Sequence, residues 1–500
     1  MQRLSWRHLA VVFLMFAAFA YGYLVHRDRL PPYATALAIK QRLLPAQGED
    51  PAAEGKQPPA GSWERVQKAG GSLSRDHAEE LERLRSLGYV AGVEKGPAGD
   101  GVVFHSEQHA HPGWNLYCAG HLPEAYLMDM EGHVVHSWRV TFEQAFPGVE
   151  LQEDAYPNAR AVLRAIKLLP DGDLLAIFEG QGIVRLNSNS EIVWSLFNGA
   201  HHAVTTWDDG NIYLLTRKAV ILEEIAGGRP ILEEFITVLM PTGETVRTIS
   251  LLEALRRSEF ALLARQAEEI GGDFFHTNDI ELLPPGTEFP RGVVRKDPTA
   301  LVSSRSMHAL VLVNLSTEAI DWVSIGLLQR QHDPSLLPNG NLLVFDNRVE
   351  SVGSRAVEFD PLTHRVVWAY PPSDTPELFS FCCGNAQRLP NGNTLLTFAG
   401  PARAIEVSPD GQIAWDFRSP HQTEDGEFVA QLMQLTRLPI DLPTGWAHGR
   451  SAEQGAVSGP TERFTFAPRS GRVRTRSQPS RVLVPEVGLE PTWTVRPAGF

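Results

Sequence analysis

Five hundred residues, a formal net charge of −14 and three cysteines exclude a nucleic-acid binder led by a basic face and a disulfide-dense scaffold. An apolar fraction of 43% supplies a sizeable core. Cys118, Cys382 and Cys383 lack zinc-ligand spacing and read as small buried hydrophobes, unless a ring brings the first and last repeats together and a bridge joins Cys118 to Cys382 or Cys383.

The chain opens on a targeting segment, residues 1–29. Leu9 to Val25 is apolar save for Gly22, with Arg3 and Arg7 before it and His26, Arg27 and Arg29 after it. This is a signal peptide or signal anchor. Ala18-Phe19-Ala20 suits signal peptidase, while the run beyond it to Val25 favours an uncleaved anchor. The rest of the chain is therefore expected outside the cytoplasm, in the cell envelope, periplasmic or otherwise extracytoplasmic and anchored in the inner membrane. Residues 30–100 form a linker rich in Pro, Ala, Gly and Gln with one short helix, Asp76 to Leu87, capped by Asp76 and ended by Gly88.

Residues 101–442 are repetitive. LRAIKLLPDGDLLAIF begins at Leu163, HHAVTTWDDGNIYLLT at His201, HTNDIELLPPG at His276, HDPSLLPNGNLLVFDN at His332 and GNAQRLPNGNTLLTF at Gly384. Each reads as strand, turn, strand, and Asn339-Gly340 suits the positive φ of a tight hairpin turn. A second hairpin ending on Trp follows most of them, as in AYLMDMEGHVVHSW from Ala125 and AIEVSPDGQIAWDF from Ala404. A repeated four-strand unit predicts an all-β, six-bladed β-propeller. The first blade, around GWNLYCAG, lacks a strand, and EFVAQLMQLTRLP from Glu427 is expected to complete it and close the ring. Small helical insertions complete the plan. Ser250 to Glu253 is a capping box, with Leu252, Leu255, Leu263 and Ile270 as a helical stripe expected over one end of the ring. Blade four has its own insertion, Glu288 to Pro298, and the loops around 140–160 and 286–300 read as lids. Residues 443–500 hold eight Arg, no Lys and four Glu without periodicity. They read as a disordered or aberrant tail, in the second case one translated out of frame.

The inner strands open, in order, with Arg164, His202, His276, His332 and Asn385. Equivalent inner-strand positions ring the central channel at one depth. A single histidine there would cap backbone groups; three in register with Arg and Asn make a functional cluster. With only Asp279 and Asp333 as nearby acids, the ring suits an oxyanion, and a neutral imidazole can attack sulfur or phosphorus. Arg305 is a candidate fixed cation, with Arg291 and Arg295 as competitors. Strand alternation lets one of His201 and His202 face inward. Three histidines could instead ligate Zn²⁺ or Cu²⁺. His105, His109 and His111 read as a solvated loop, and His121, His133, His136 and His308 carry no pattern.

NLYCAGHLPEAYLMDMEGHVVHSW, HTNDIELLP, QHDPSLLPNGNLLVFDN and GNAQRLPNGNTLLTF resemble the bacterial arylsulfate sulfotransferases, the family that does not use the nucleotide sulfate donor. The resemblance covers residues 101–440. It implies a six-bladed propeller that takes a sulfuryl group from a phenolic sulfate ester onto a histidine and passes it to a phenol, with no cofactor or metal. It implies His332 as nucleophile, His276 and Asn278 as holders of the sulfuryl oxygens, Arg305 as counter-charge and His202 as proton-transfer group. Arg164 and Asn385 join them as substrate-binding residues. The rival readings are a non-catalytic propeller that binds a ligand or protein partner, and a metal- or quinone-dependent propeller oxidoreductase.

Overall fold

A computed structural model describes residues 62–65, 100–149, 160–222, 230–270, 272–348, 353–373, 375–423, 426 and 428–447. The expected anchor, the Asp76–Leu87 helix and the tail from residue 448 lie outside the described residues. Among the described residues no helix is long and apolar enough to cross a membrane.

Six antiparallel sheets follow one another around a central channel. Their inner strands are Leu432–Leu438, Ala165–Leu168, Ala200–Thr206, Thr277–Leu283, His332–Leu336 and Asn385–Arg388, in blades one to six. The repeated LPNGN phrase explains the hairpins. Leu337 N–H donates to Asn341 O (2.9 Å), Gly340 N–H donates to Leu337 O (2.8 Å), and the Asn339 side chain accepts from Asn341 N–H (3.0 Å). Gly340 sits at φ +82° while Asn339 is not left-handed, so the turn is the three-residue type with one left-handed glycine rather than the two-residue turn that Asn-Gly suggests.

In four blades the last strand carries a tryptophan whose indole reaches the next blade. The Nε1–H groups of Trp138, Trp194, Trp368 and Trp415 donate to Gly172 O, Pro241 O, Pro409 O and Met130 O, each in a lower turn of the following blade. A buried indole needs such a partner, and here the partner joins two sheets.

Closure uses both ends of the repeat region. Leu432–Leu438 pairs with Trp114–Ala119 and completes blade one. Gly101–His105 adds a fifth strand to the outer edge of blade six, pairing with Ile413–Arg418; this strand was not expected. A two-stranded ribbon, Trp63–Arg65 with Phe428–Ala430, lies beside the closing strand.

The expected single helical stripe is two helices. Leu251–Arg256 is capped by Ser250, whose side chain accepts from Glu253 N–H, and Ala261–Ile270 follows. The first packs on the outer strands of blades three and four, filling the wedge between them. The 286–300 loop joins the inner and second strands of blade four, so it lies on the lower rim, away from the strand starts where His276 stands. It is pinned there by Phe289, fully buried against Trp322, and cannot serve as a lid on that end. The 140–149 segment does lie on the upper rim.

The closing strand carries a buried clasp. Arg437, 3% exposed, bonds Asn115 Oδ1 (2.7 Å) and Glu406 Oε2 (3.0 Å), donates to the His111 carbonyl, and stacks on Trp415 at 5.2 Å. Removing one member of a buried pair strands the other charge, at about 3–5 kcal/mol. Arg437→Met is expected to lose about that much in urea unfolding followed by Trp fluorescence. Arg437→Met with Glu406→Gln should recover most of it; equal losses for the single and double variants would contradict the clasp.

Candidate active site

An antiparallel hairpin returns the end of its second strand to the rim where its first strand starts. The upper rim therefore gathers two sets of side chains. From the strand starts come Arg164, His202, His276, His332 and Asn385. From the second-strand ends come Glu179, Arg217, Arg305 and Asn347. The starts are also bulged. Pairing shifts between His201 and Val204, between Thr277 and Asp279, and between His332 and Ser335. His202, His276 and Asp333 hold φ of +53°, +45° and +50°. Bulges re-aim side chains, so simple alternation does not decide what faces the channel there.

The channel forms a cavity of about 790 Å³ whose wall includes Arg164, His202, Asn278, His332 and Asn385. His332 is buried. Its Nδ1 lies 2.7 Å from Asn347 Oδ1, and its Nε2 accepts from the Cys383 backbone N–H at 3.2 Å. The Asn347 Nδ2 donates to the carbonyls of Ser380 and Cys383, both at 2.9 Å. That amide orientation leaves Oδ1 as acceptor, so His332 carries its proton on Nδ1 and keeps its lone pair at Nε2, where the Cys383 N–H holds it. Burial, with the Arg164 and Arg305 charges added, pushes the imidazole well below its usual value, against the Asn347 hydrogen bond. The ring is neutral at neutral pH.

His202 and His276 meet ring to ring, with centroids 4.9 Å apart and planes at 67°. His276 Nδ1 holds Asp273 Oδ2 at 2.5 Å. Asp273 lies below the usual carboxylate range: burial raises it, but the His276 bond and charge with Arg217 and Arg305 outweigh that. His201 is fully buried behind His202, their Nδ1 atoms 3.0 Å apart. Burial, with Arg217 acting on His201 and Arg164 on His202, pushes both imidazoles well below the ordinary value. Arg217 and Arg164 flank Glu179 at 3.2 and 3.9 Å. Arg305 follows the second strand of blade four, and its Nε is buried without a hydrogen-bond partner. The Arg305 charge acts on both His332 and Asp273. Asn278 donates to Gln331 O at 2.8 Å and leaves its Oδ1 unpartnered. Arg164, His202, Asn278, His332 and Asn385 share the cavity wall, whereas His276 and Arg305 do not line it: His276 packs on His202, and Arg305 acts on His332 through its charge. Arg291 and Arg295 belong to the lower rim, bonded to Asn339 O and to Asp321.

Sequence reading missed Glu179, Arg217, Asp273 and Asn347. A usable signal existed: a polar residue one or two places after the second strand's last apolar residue, Glu179 in IFEG and Asn347 in VFDN, shares the rim with the strand starts. Among the described residues, Glu179, His201 and His202 place ligand atoms within 4.8 Å of one another, a spacing that could hold a metal; His276 and His332 are not in that group. Two guanidiniums already hold Glu179, so a dication would enter against them, and the donor set fits an anion better.

The family model described as Arylsulfotransferase (ASST) matches residues 165–420. No curated protein matches the chain. Among solved structures, a protein of unknown function from Bacteroides caccae is 12% identical, with a TM-score of 0.41, over 65% of this chain and 98% of its own. A streptogramin B lyase is 12% identical, with a TM-score of 0.37, over 68% of this chain and 93% of its own. A catalytically inactive virginiamycin B lyase from Staphylococcus aureus is 9% identical, with a TM-score of 0.36, over 66% of this chain and 97% of its own. Likenesses at these values carry no argument.

Nitrogen-15 NMR at neutral pH is expected to show His332 protonated on Nδ1 only. Asn347→Ala strands the Nδ1–H and two carbonyls, at about 1–3 kcal/mol of stability, and should move the His332 Nδ1 resonance as that proton loses its acceptor. An Nδ1 resonance unmoved in that variant would refute the orienting role of Asn347.

Proposed function

The chain belongs to the arylsulfotransferase family, and from that premise we propose that it moves a sulfuryl group from a phenolic sulfate ester to a phenol through a sulfohistidine. His332 Nε2 gives up the hydrogen bond from the Cys383 N–H and attacks sulfur; an N–S bond forms, the S–O bond to the aryl oxygen breaks, and the phenolate leaves with that electron pair. In the second half the acceptor oxygen attacks the same sulfur, the N–S bond breaks, and the acceptor proton passes to His202. The imidazolium so formed faces the Glu179 carboxylate at 3.3 Å. His276 and Asn278 contact the sulfuryl oxygens, Arg305 supplies counter-charge, and Arg164 and Asn385 line the substrate space.

The observation that carries this reading is the state of His332: neutral, oriented by Asn347, and under the charge of Arg305, whose buried Nε has no hydrogen-bond partner. Sulfuryl transfer asks for an in-line nucleophile and donors around three equatorial oxygens, and a phenolate leaves without strong acid assistance. The Leu9–Val25 run supports an envelope location with an inner-membrane anchor.

Brief exposure to an aryl sulfate chromogen, followed by peptide mass spectrometry, is expected to place the sulfuryl group on the His332 peptide. Added phenol should discharge it, a chelator should have no effect, and His332→Ala should carry no label. Arg305→Gln should lower kcat by about 10² to 10³. A label elsewhere would overturn the assignment. Chelator-sensitive release would favour the metal reading of Glu179, His201 and His202.

The pH dependence has a definite sign. Protonation removes the Nε2 lone pair, and the folded protein holds the His332 value well below the free 6.5. The lone pair therefore persists as pH falls through 6.5. The acid limb of the first-turnover phenolate burst, read after alkaline quench, should lie well below 6.5; a limb at or above it would contradict a buried neutral nucleophile.

A further inference from the structure

We propose that Cys382 and Cys383 form a thiol–disulfide modification site that takes a small-molecule disulfide and, once oxidised, withdraws the peptide that holds His332. The two sulfurs lie 3.5 Å apart, and both are free thiols. Cys382 is half-buried and follows Phe381, which is 50% exposed, so a small disulfide can reach it from the upper rim. Cys383 is buried, and its main chain does two things: its N–H donates to His332 Nε2, and its carbonyl accepts from Asn347 Nδ2. The hydrogen bond between the two thiols, aided by the Arg164 charge, draws the Cys383 thiol down against its burial, and the same bond holds the Cys382 thiol well above its usual value. Cys118, in the same apolar cluster, is pushed up to about 12 by burial and is the poorer nucleophile.

The step balances. The single thiolate that the pair shares attacks one sulfur of glutathione disulfide, giving a mixed disulfide and one released glutathione. The remaining thiol of the pair loses its proton, attacks that sulfur and expels the second. Two thiols lose two electrons and two protons, and one disulfide becomes two thiols. Adjacent Cα atoms across a trans peptide stand about 3.8 Å apart, closer than the ~4.4–6.8 Å a relaxed disulfide spans. Closing the bond therefore turns the 382–383 peptide and leaves a strained, readily reduced link. The next residue packs its backbone against Phe345. Gly384 sits at φ +122° with its absent Cβ position 2.4 Å from the Phe345 ring. The turn falls on the Cys383 N–H, uncovering Nε2 and freeing the amide that orients the ring.

The consequence for turnover rests on His332 acting as nucleophile; the bond and the uncovering of Nε2 do not. The purified full chain is equilibrated in glutathione buffers from reducing to oxidising and read three ways. Peptide mapping is expected to find a Cys382–Cys383 link, reversed by dithiothreitol. Diethyl pyrocarbonate should modify His332 about three- to tenfold faster in the oxidised protein, the worth of one hydrogen bond. Aryl sulfate turnover should fall over the same buffer range and return on reduction. Cys382→Ser should keep the reduced-state turnover and lose all response to oxidation. A link from Cys118, no link, or a link that leaves the His332 modification rate unchanged overturns the proposal. A reduced protein with no turnover but with the link and the faster modification sinks the sulfotransferase reading alone.

Discussion

Everything on the upper rim depends on the register of one strand, Leu432–Leu438 against Trp114–Ala119. Without it blade one presents an open inner edge and the ring cannot set the spacing of the other inner strands. The Arg437 clasp acts at that seam, tying the closing strand to blade six through Glu406 and to blade one through Asn115. Its guanidinium is buried beside a buried carboxylate, an arrangement that contributes little as an isolated ion pair but tolerates few alternative registers. A one-residue slip would turn Arg437 out of reach of both partners. The indole-to-turn bonds repeat the same idea between successive blades with a neutral donor.

With the ring fixed, hairpin geometry determines what can meet. The starts of the inner strands and the ends of the second strands share a rim, so residues about fifteen apart in sequence become partners; His332 and Asn347 are one such pair. Bulges at three of the starts turn His202, His276 and Asp333 through left-handed backbone. Such conformations cost of order 1–3 kcal/mol each for non-glycine residues and persist where the surrounding structure over-determines them. Here each strained residue is anchored: His202 by Glu179 and His276, His276 by Asp273, and Asp333 by the Ala386 N–H.

The fold was legible because hairpin phrases and terminal tryptophans are local signals, each decided by a few adjacent residues. Blade count, the site of ring closure and the shared rim of His202, His276 and His332 all followed from aligning those phrases. What escaped was what depends on pairing across the ring. The Gly101–His105 strand has only weak alternation and finds its place on blade six through the sheet edge it covers. The 286–300 loop looked like a lid because length suggests one, but its attachment to the lower ends of two strands puts it elsewhere. Asn347 and Glu179 were invisible as site residues because strand endings are usually polar for solvation. Only their register against the strand starts distinguishes them.

The vertical distribution of charge gives the channel a direction. Arg164, Arg217 and Arg305 stand at the rim against Glu179 and Asp273, and buried neutral imidazoles add no further cation. Below them Asp279, Glu281 and Asp333 also line the channel. Burial raises all three, with mutual repulsion added for Asp279, so that Asp333 reaches about 6 and Glu281 about 7. Near neutral pH these carboxyls carry less than full charge. They therefore neutralise the rim arginines less than their number suggests, while still opposing an anion that moves deeper. An anion entering from above meets its strongest attraction at the level of His332 and an opposing field below it. The same burial that keeps His332 unprotonated thus also sets the charge of the acids beneath it.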